Sequence, residues 1–348
     1  MTLRAGKIIR GASGTYKLLD ALKSLTIYKA QVLSGPRMNA RWYVSITMLE
    51  LPMSYSNQRA VVKTAVAELE NAALKREYNN YKIPDIASSP YIRTLYNALG
   101  SFEEDVRQCD AAAEDPLCLV FECLETDLQS LSSHQYRRDS RLPKIISKSV
   151  LYSTASSVVH MGLKRLDVNP NNVFLSRIDG PSPIIKLGDL GLMVKEGYNS
   201  QRLHCLPCRA PVVWQGIGCF HSSDTNREVG TLTPRESYFG ASDKIVEDHT
   251  EAWCIAKLQS LVGSLGICID YQPYKSEFEL AEQLTSMEIG PGLGKLIKVG
   301  TLRQELQSLS DPSVSTRLLD FIDYLLVIDM AKRPTAREAL QNPYLQYV

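Results

Sequence analysis

Asp167, Asn172 and Asp189 are the residues whose types and spacing point most directly to chemistry. They lie in Asp167-Val168-Asn169-Pro170-Asn171-Asn172 and in Gly188-Asp189-Leu190-Gly191. An acid, an amide five positions on and a second acid beside a glycine at position 189 suit a site that holds a polyphosphate through a divalent cation. Asp167 would meet the acceptor hydroxyl as a base. Asn172 and Asp189 offer hard oxygen ligands of the kind Mg²⁺ takes. Asp, Asn and Pro are also turn formers. A turn is a serious rival explanation for Asn171 but a weak one for the whole set, because Gly188-Asp189 follows the strand-like Ile184-Ile185.

These residues need elements to hold them. Tyr16 to Leu22 and Thr26 to Leu33 are rich in β-branched and aromatic residues and are separated by a polar break, so two strands are expected there. Ala60-Val61-Val62-Lys63 is a third strand candidate, and Leu117 to Phe121 is an apolar run bounded by Pro116 and Glu122. Ala65 to Tyr78 carries helix formers, with Val66, Leu69, Ala73 and Leu74 on one face. From there on the chain turns helical. Leu142 to His160 has helical spacing, with Val150, Leu151 and Val158 facing a core. Glu251 to Val262, Phe278 to Met287, Ser315 to Val327 and Thr335 to Leu340 read as further helices. A strand-rich part (about 11–124) followed by a helical part (about 125–348) predicts an α+β chain. Ser45 to Arg59 and Thr225 to Ser237 fit no period and read as insertions.

Composition narrows the function classes. With 44% hydrophobic and 22% charged residues the chain is ordinary for a globular protein, and a net charge of +1 gives no electrostatic case for nucleic acid or an anionic membrane. The basic start, Met1 to Arg10, lacks the apolar core of a signal peptide, and no apolar run reaches the length of a membrane span. An intracellular protein, cytoplasmic or nuclear, is expected. Eight scattered cysteines do not form a disulfide framework. Cys205-x-x-Cys208 with Cys219-x-His221 has the ligand types of a zinc site, but reduced structural cysteines account for it better.

From about Tyr16 to Leu345 the chain resembles the eukaryotic protein kinases, through ordered motifs rather than one pattern. Val61-Val62-Lys63 looks like the strand whose lysine grips the nucleotide phosphates, and Arg76-Glu77 like the helix position that holds that lysine. Leu119 to Leu124 resembles the last strand of the smaller lobe and the hinge. There the backbone at Glu122 and Leu124 would read the adenine edge, with Phe121 behind the ring and Ile27 and Val61 sandwiching it. Asp167 looks like the catalytic base, and Asn172 and Asp189 like the Mg²⁺ ligands. Cys208-Arg209-Ala210-Pro211 resembles the end of an activation segment, and Ser222-Ser223-Asp224 the start of a buried helix. Lys332-Arg333-Pro334-Thr335 resembles the closing element of the larger lobe. The resemblance implies a bilobal fold, ATP and Mg²⁺ as cofactors, and a protein substrate phosphorylated on Ser or Thr.

The pattern is broken in places. Asp20, Leu22 and Leu25 stand where the phosphate-covering glycines belong, and Gly11 and Gly14 lie too early for that role. Arg165-Leu166-Asp167 replaces His-Arg-Asp, so control through phosphorylation of Tyr198 or Ser200 becomes doubtful. Asn169 replaces a phosphate-neutralising lysine, Val212 a glutamate and Asn226-Arg227 a Trp-Ser pair. Two other readings therefore stand beside an active kinase. One is a nucleotide-binding or scaffold module that transfers little; the other is a small-molecule phosphotransferase with the same loop spacing. Nothing in the sequence indicates an oligomeric state.

Overall fold

The computed structural model describes residues 3–35, 58–102, 116–131, 141–159, 168–193, 202, 205–218, 238–310 and 312–346. The chain is α+β, with an antiparallel sheet in its N-terminal part and helices in its C-terminal part. It divides into two compact units. The first takes 1–88, 92–124 and 189–192, and the second takes 89–91, 125–188 and 193–348.

The first unit is built on six strands: β1 (Ile8–Gly11), β2 (Gly14–Lys23), β3 (Ile27–Ser34), β4 (Arg59–Thr64), β5 (Leu95–Leu99) and β6 (Cys118–Glu122). They lie in the order β1-β2-β3-β4-β6-β5, with every pairing antiparallel. Period-two alternation gives this sheet two distinct faces. Tyr28, Ala30, Val32, Ala60, Val62 and Val120 share one face and join the core with Tyr16 and Leu18. On the other face Lys63 stands opposite Ile27 and Leu119, while Val61 stands opposite Phe121. β1 had no sequence signal. Its tight turn into β2 explains the early glycines, because a Cβ at Gly11 would meet Asn97 Nδ2 at 2.5 Å and one at Gly14 would meet the Ser34 carbonyl at 2.7 Å.

Helix α1 (Glu68–Tyr81) follows β4. The Glu70 carboxylate accepts the backbone N–H groups of Val66 and Ala67, at 2.8 and 3.1 Å, and so satisfies two donors at the helix start. Its buried stripe corrects the expectation from sequence. Leu74, Glu77 and Tyr81 face inward, whereas Val66 and Leu69 are 67% and 85% exposed. The helix begins only at Glu68, and its inward stripe includes an acid, which hydropathy alone assigns to the outside. Helix α2 (Pro84–Ser88) completes this unit.

The second unit carries a small sheet of β7 (Thr126–Asp127), β8 (Val173–Ser176) and β9 (Ile184–Leu187), with α3 (Arg141–Val159) beside it. Its helices continue with α4 (Pro211–Trp214), α5 (Thr250–Val262), α6 (Gln272–Ser286), α7 (Leu302–Ser308), α8 (Thr316–Leu325), α9 (Ala336–Ala339) and α10 (Pro343–Gln346). At the centre runs α5, in which every residue from Ala252 to Leu258 is buried. Lys257 is tolerated there because its ammonium donates to Asp243 Oδ1 at 2.8 Å and to the Gly240 carbonyl at 3.0 Å. The sequence comparison put the start of the buried helix at Ser222-Ser223-Asp224, which lies outside the described residues. Among the described residues, α5 is buried on every side from Ala252 to Leu258. Thr335 and Glu338 cap α9 reciprocally, as their spacing predicts.

The contrast between α5 and α1 can be measured. Ile255→Ala, in the middle of α5, is expected to lower stability to urea by roughly 2–4 kcal/mol. Leu69→Ala, on the exposed face of α1, should change it by less than about 0.5 kcal/mol. A large loss at Leu69 would show that α1 buries the face read from hydropathy.

Candidate functional site

Three charged side chains meet on the site-bearing face of the first sheet. β4 presents Lys63, α1 presents Glu77, and Asp189 follows the end of β9. The Lys63 ammonium donates to Glu77 Oε2 and to Asp189 Oδ1, each at 2.8 Å. The three environments differ. Glu77 is 1% exposed and Lys63 24%, whereas the Asp189 carboxylate is 44% exposed and open to a ligand.

Burial alone would pull the Lys63 pKa down, but the facing Glu77 and Asp189 carboxylates more than reverse this, and the amine stays charged above its usual range. For Glu77 burial is the largest influence and raises the carboxyl. Lys63 opposes it, Asp189 adds to it, and the net direction is upward. Glu77 is also tied to the backbone, since its Oε1 accepts the Leu190 N–H at 3.2 Å.

The segment Asp189-Leu190-Gly191 is held closely. Asp189 adopts φ 55°, in the left-handed region that is uncommon for a residue with a side chain. Gly191 passes so near α1 that a Cβ there would meet the Ala73 carbonyl at 3.2 Å. Asn80 Nδ2 donates to the Leu190 carbonyl at 2.8 Å, and Arg76 Nε donates to the Gly191 carbonyl at 3.0 Å. Neither Arg76 nor Asn80 drew attention as a holder of this segment from sequence. The usable signal was spacing, because positions 76, 77 and 80 lie on one side of a helix.

The strands bring Ile27, Val61, Lys63 and Phe121 onto one sheet face through their register. Phe121 packs against Tyr81, with ring centres 5.4 Å apart, and the Arg93 guanidinium lies over its ring. The Glu122 N–H is used by the Thr94 carbonyl at 2.9 Å, and its own carbonyl accepts Arg93 Nε at 2.8 Å. Leu124 is half-buried at the end of the unit's second stretch. On the β2–β3 hairpin Asp20, Leu22 and Leu25 are exposed.

Asn172 belongs to the second unit, where it ends a short 3-10 turn just before β8. Asn169 caps that turn, its side-chain oxygen accepting the Asn171 N–H at 3.0 Å, and the Asn172 carbonyl accepts the Gly188 N–H at 2.8 Å. Val173 pairs with Leu187 beyond it, which fixes the local register. Asp167 lies outside the described residues. So do Cys219 and His221 of the possible zinc set, while Cys205 is exposed and Cys208 buried. Among the described residues no group of three His, Cys, Asp or Glu is placed to hold a metal, and no helix is long and apolar enough to cross a membrane. No protein-family model matches the chain, and no curated protein matches it either.

The triad makes a pH-dependent prediction. Lys63→Met removes the main influence that lowers the Glu77 pKa, so the carboxyl should titrate still further above its unfolded value of about 4.3. A raised folded pKa favours the folded state at acidic pH, and that advantage is lost as pH rises through it. Urea stability of Lys63→Met is expected to fall more steeply than wild type between about pH 5 and pH 8. The double variant Lys63→Met/Glu77→Leu should remove the extra slope. Equal slopes in wild type and single variant would show that Lys63 does not neutralise Glu77.

Proposed function

We propose that this chain is a phosphotransferase of the protein-kinase type, using Mg²⁺ and ATP and directed at Ser or Thr of a protein substrate. Its two units are proposed to be the lobes of a bilobal kinase-like fold. The observation that carries the reading is the Lys63 ammonium held at 2.8 Å by both buried Glu77 and accessible Asp189. A lysine pinned by a buried acid is oriented for phosphate, and an exposed acid beside it is oriented for a cation.

On this reading Lys63 binds the α- and β-phosphates and Glu77 keeps its stem aimed at them. The exposed hard oxygens of Asp189, together with Asn172 as the sequence resemblance implies, fit Mg²⁺. The bound cation would offset charge developing on the phosphoryl oxygens. Ile27, Val61 and Phe121 would line the base, with the backbone of Glu122 and Leu124 at its edge. Asp167 takes the hydroxyl proton as the acceptor oxygen bonds to the γ-phosphorus and the bond to the bridging oxygen breaks, releasing ADP.

A second reading is favoured by one specific observation. The exposed Asp20, Leu22 and Leu25 of the β2–β3 hairpin offer side chains where close backbone approach would serve phosphate better. This suits a module that binds nucleotide and transfers little. Labelled ATP, Mg²⁺ and a mixed protein substrate separate the two. Transfer by wild type that drops by at least about a hundredfold in Asp167→Asn and in Lys63→Ala supports catalysis. Absent transfer, with a Mg·ATP-dependent rise in melting temperature, supports the binding module. Label appearing only on a metabolite would point to the small-molecule phosphotransferase.

A further inference from the structure

We propose that Arg76 and Asn80 form a polar latch that positions Asp189 for its cation by gripping the backbone of the two residues after it. The inference rests on the nucleotide reading of the site, and it concerns residues to which that reading gives no role.

Asp189 has to keep a left-handed backbone while its carboxylate stays exposed. Such a conformation persists only where its surroundings over-determine it. Three side chains of α1 supply that constraint. Glu77 accepts the Leu190 N–H, Asn80 donates to the Leu190 carbonyl and Arg76 donates to the Gly191 carbonyl. Both backbone polar groups of Leu190 and the carbonyl of Gly191 are thereby bound to a single helix. Leu190 is fully buried and Asn80 is 8% exposed, so these bonds form where an unpaired carbonyl would be costly.

The donors matter because the side chain of Leu190 cannot orient the segment by itself. An aliphatic side chain buries area without fixing a direction, whereas two carbonyls and one N–H fix both the plane and the register of the peptide groups. The absent Cβ of Gly191 lets α1 approach closely enough for the Arg76 bond. Helix α1 therefore sets both ends of the triad, holding Glu77 directly and Asp189 through the latch. A displacement of α1 would move the lysine's partner and the cation's ligand together.

Two measurements test the latch. The variants are Asn80→Leu, which keeps bulk and removes the donor, Arg76→Met on the exposed side of the helix, and the double substitution. Hydrogen exchange of residues 189–192 is expected to accelerate at least about tenfold in the double variant. Amides of β4 and β6 should keep their protection, which excludes global unfolding. Nucleotide affinity, measured with ATP in Mg²⁺ and in EDTA, should lose most of its Mg²⁺-dependent gain in the variants. Binding in EDTA should change less than about twofold, since Lys63 and Glu77 are untouched. Unchanged exchange in the double variant overturns the latch. Faster exchange with an intact Mg²⁺ gain overturns its positioning role. If wild type binds no nucleotide under either condition, the functional reading fails, and the exchange data still decide whether Arg76 and Asn80 hold the segment. Should Asn80→Leu fail to fold, Arg76→Met alone carries both readouts.

Discussion

Glu77 places a carboxylate inside the first unit, at 1% exposure, and a buried charge of that kind is tolerated only when it is paired and hydrogen-bonded. Lys63 supplies the pair, and Lys63 reaches it because β4 runs down the middle of the sheet with its alternate residues facing α1. The Leu190 N–H supplies the remaining partner, which draws residues 189–192 out of the second unit's stretch of chain and onto the first. The strand register that presents Lys63, the inward face of α1 and the seating of Leu190 together satisfy this one carboxylate. The same requirement leaves a cation at Lys63 and an accessible anion at Asp189, an arrangement suited to phosphate and metal.

Much of this was legible in the residues. Strands β2, β3, β4 and β6 announce themselves by β-branched and aromatic runs, and Lys63, Glu77 and Asp189, named from ordered motifs, come together in space. The face of α1 read from hydropathy is wrong at Val66 and Leu69, which are exposed, whereas the resemblance already pairs Glu77 with Lys63. A buried acid becomes favourable through a lysine on β4 and an amide more than a hundred positions away, and hydropathy encodes neither. Strands β1, β7 and β8 were missed because each is short, and β5 because Asn97 interrupts its apolar pattern. The glycines at Gly11 and Gly14 looked misplaced for phosphate because their purpose is packing against Asn97, Ser34 and Tyr16. The central helix was found at Glu251–Val262 as a helix, but its central position emerged only once its burial on every side was seen.

On the proposed reading, the sequence departures around Asp167 and in the β2–β3 hairpin would bear on rate more than on ligand. If the proposed nucleotide binds, side chains at Asp20, Leu22 and Leu25 would leave more of its grip to Lys63 and to a cation at Asp189. A site dependent on two side chains would gain from holding them rigidly, and Glu77, Arg76 and Asn80 of α1 bond the segment that carries one of them. On the same reading, Leu166 stands where the resemblance expects a phosphate-receiving arginine, while residues 189–191 are bonded to side chains of α1.

The central claim is that Lys63 faces the phosphates of a bound nucleotide. It is tested most directly with an ATP analogue carrying a reactive acyl group on its terminal phosphate, which acylates an amine held beside it. After brief labelling and peptide mapping, the account predicts that Lys63 is the principal modified lysine and that excess ATP with Mg²⁺ suppresses its labelling. Labelling spread over exposed lysines such as Lys332, with Lys63 unmodified and no protection by ATP, would contradict it.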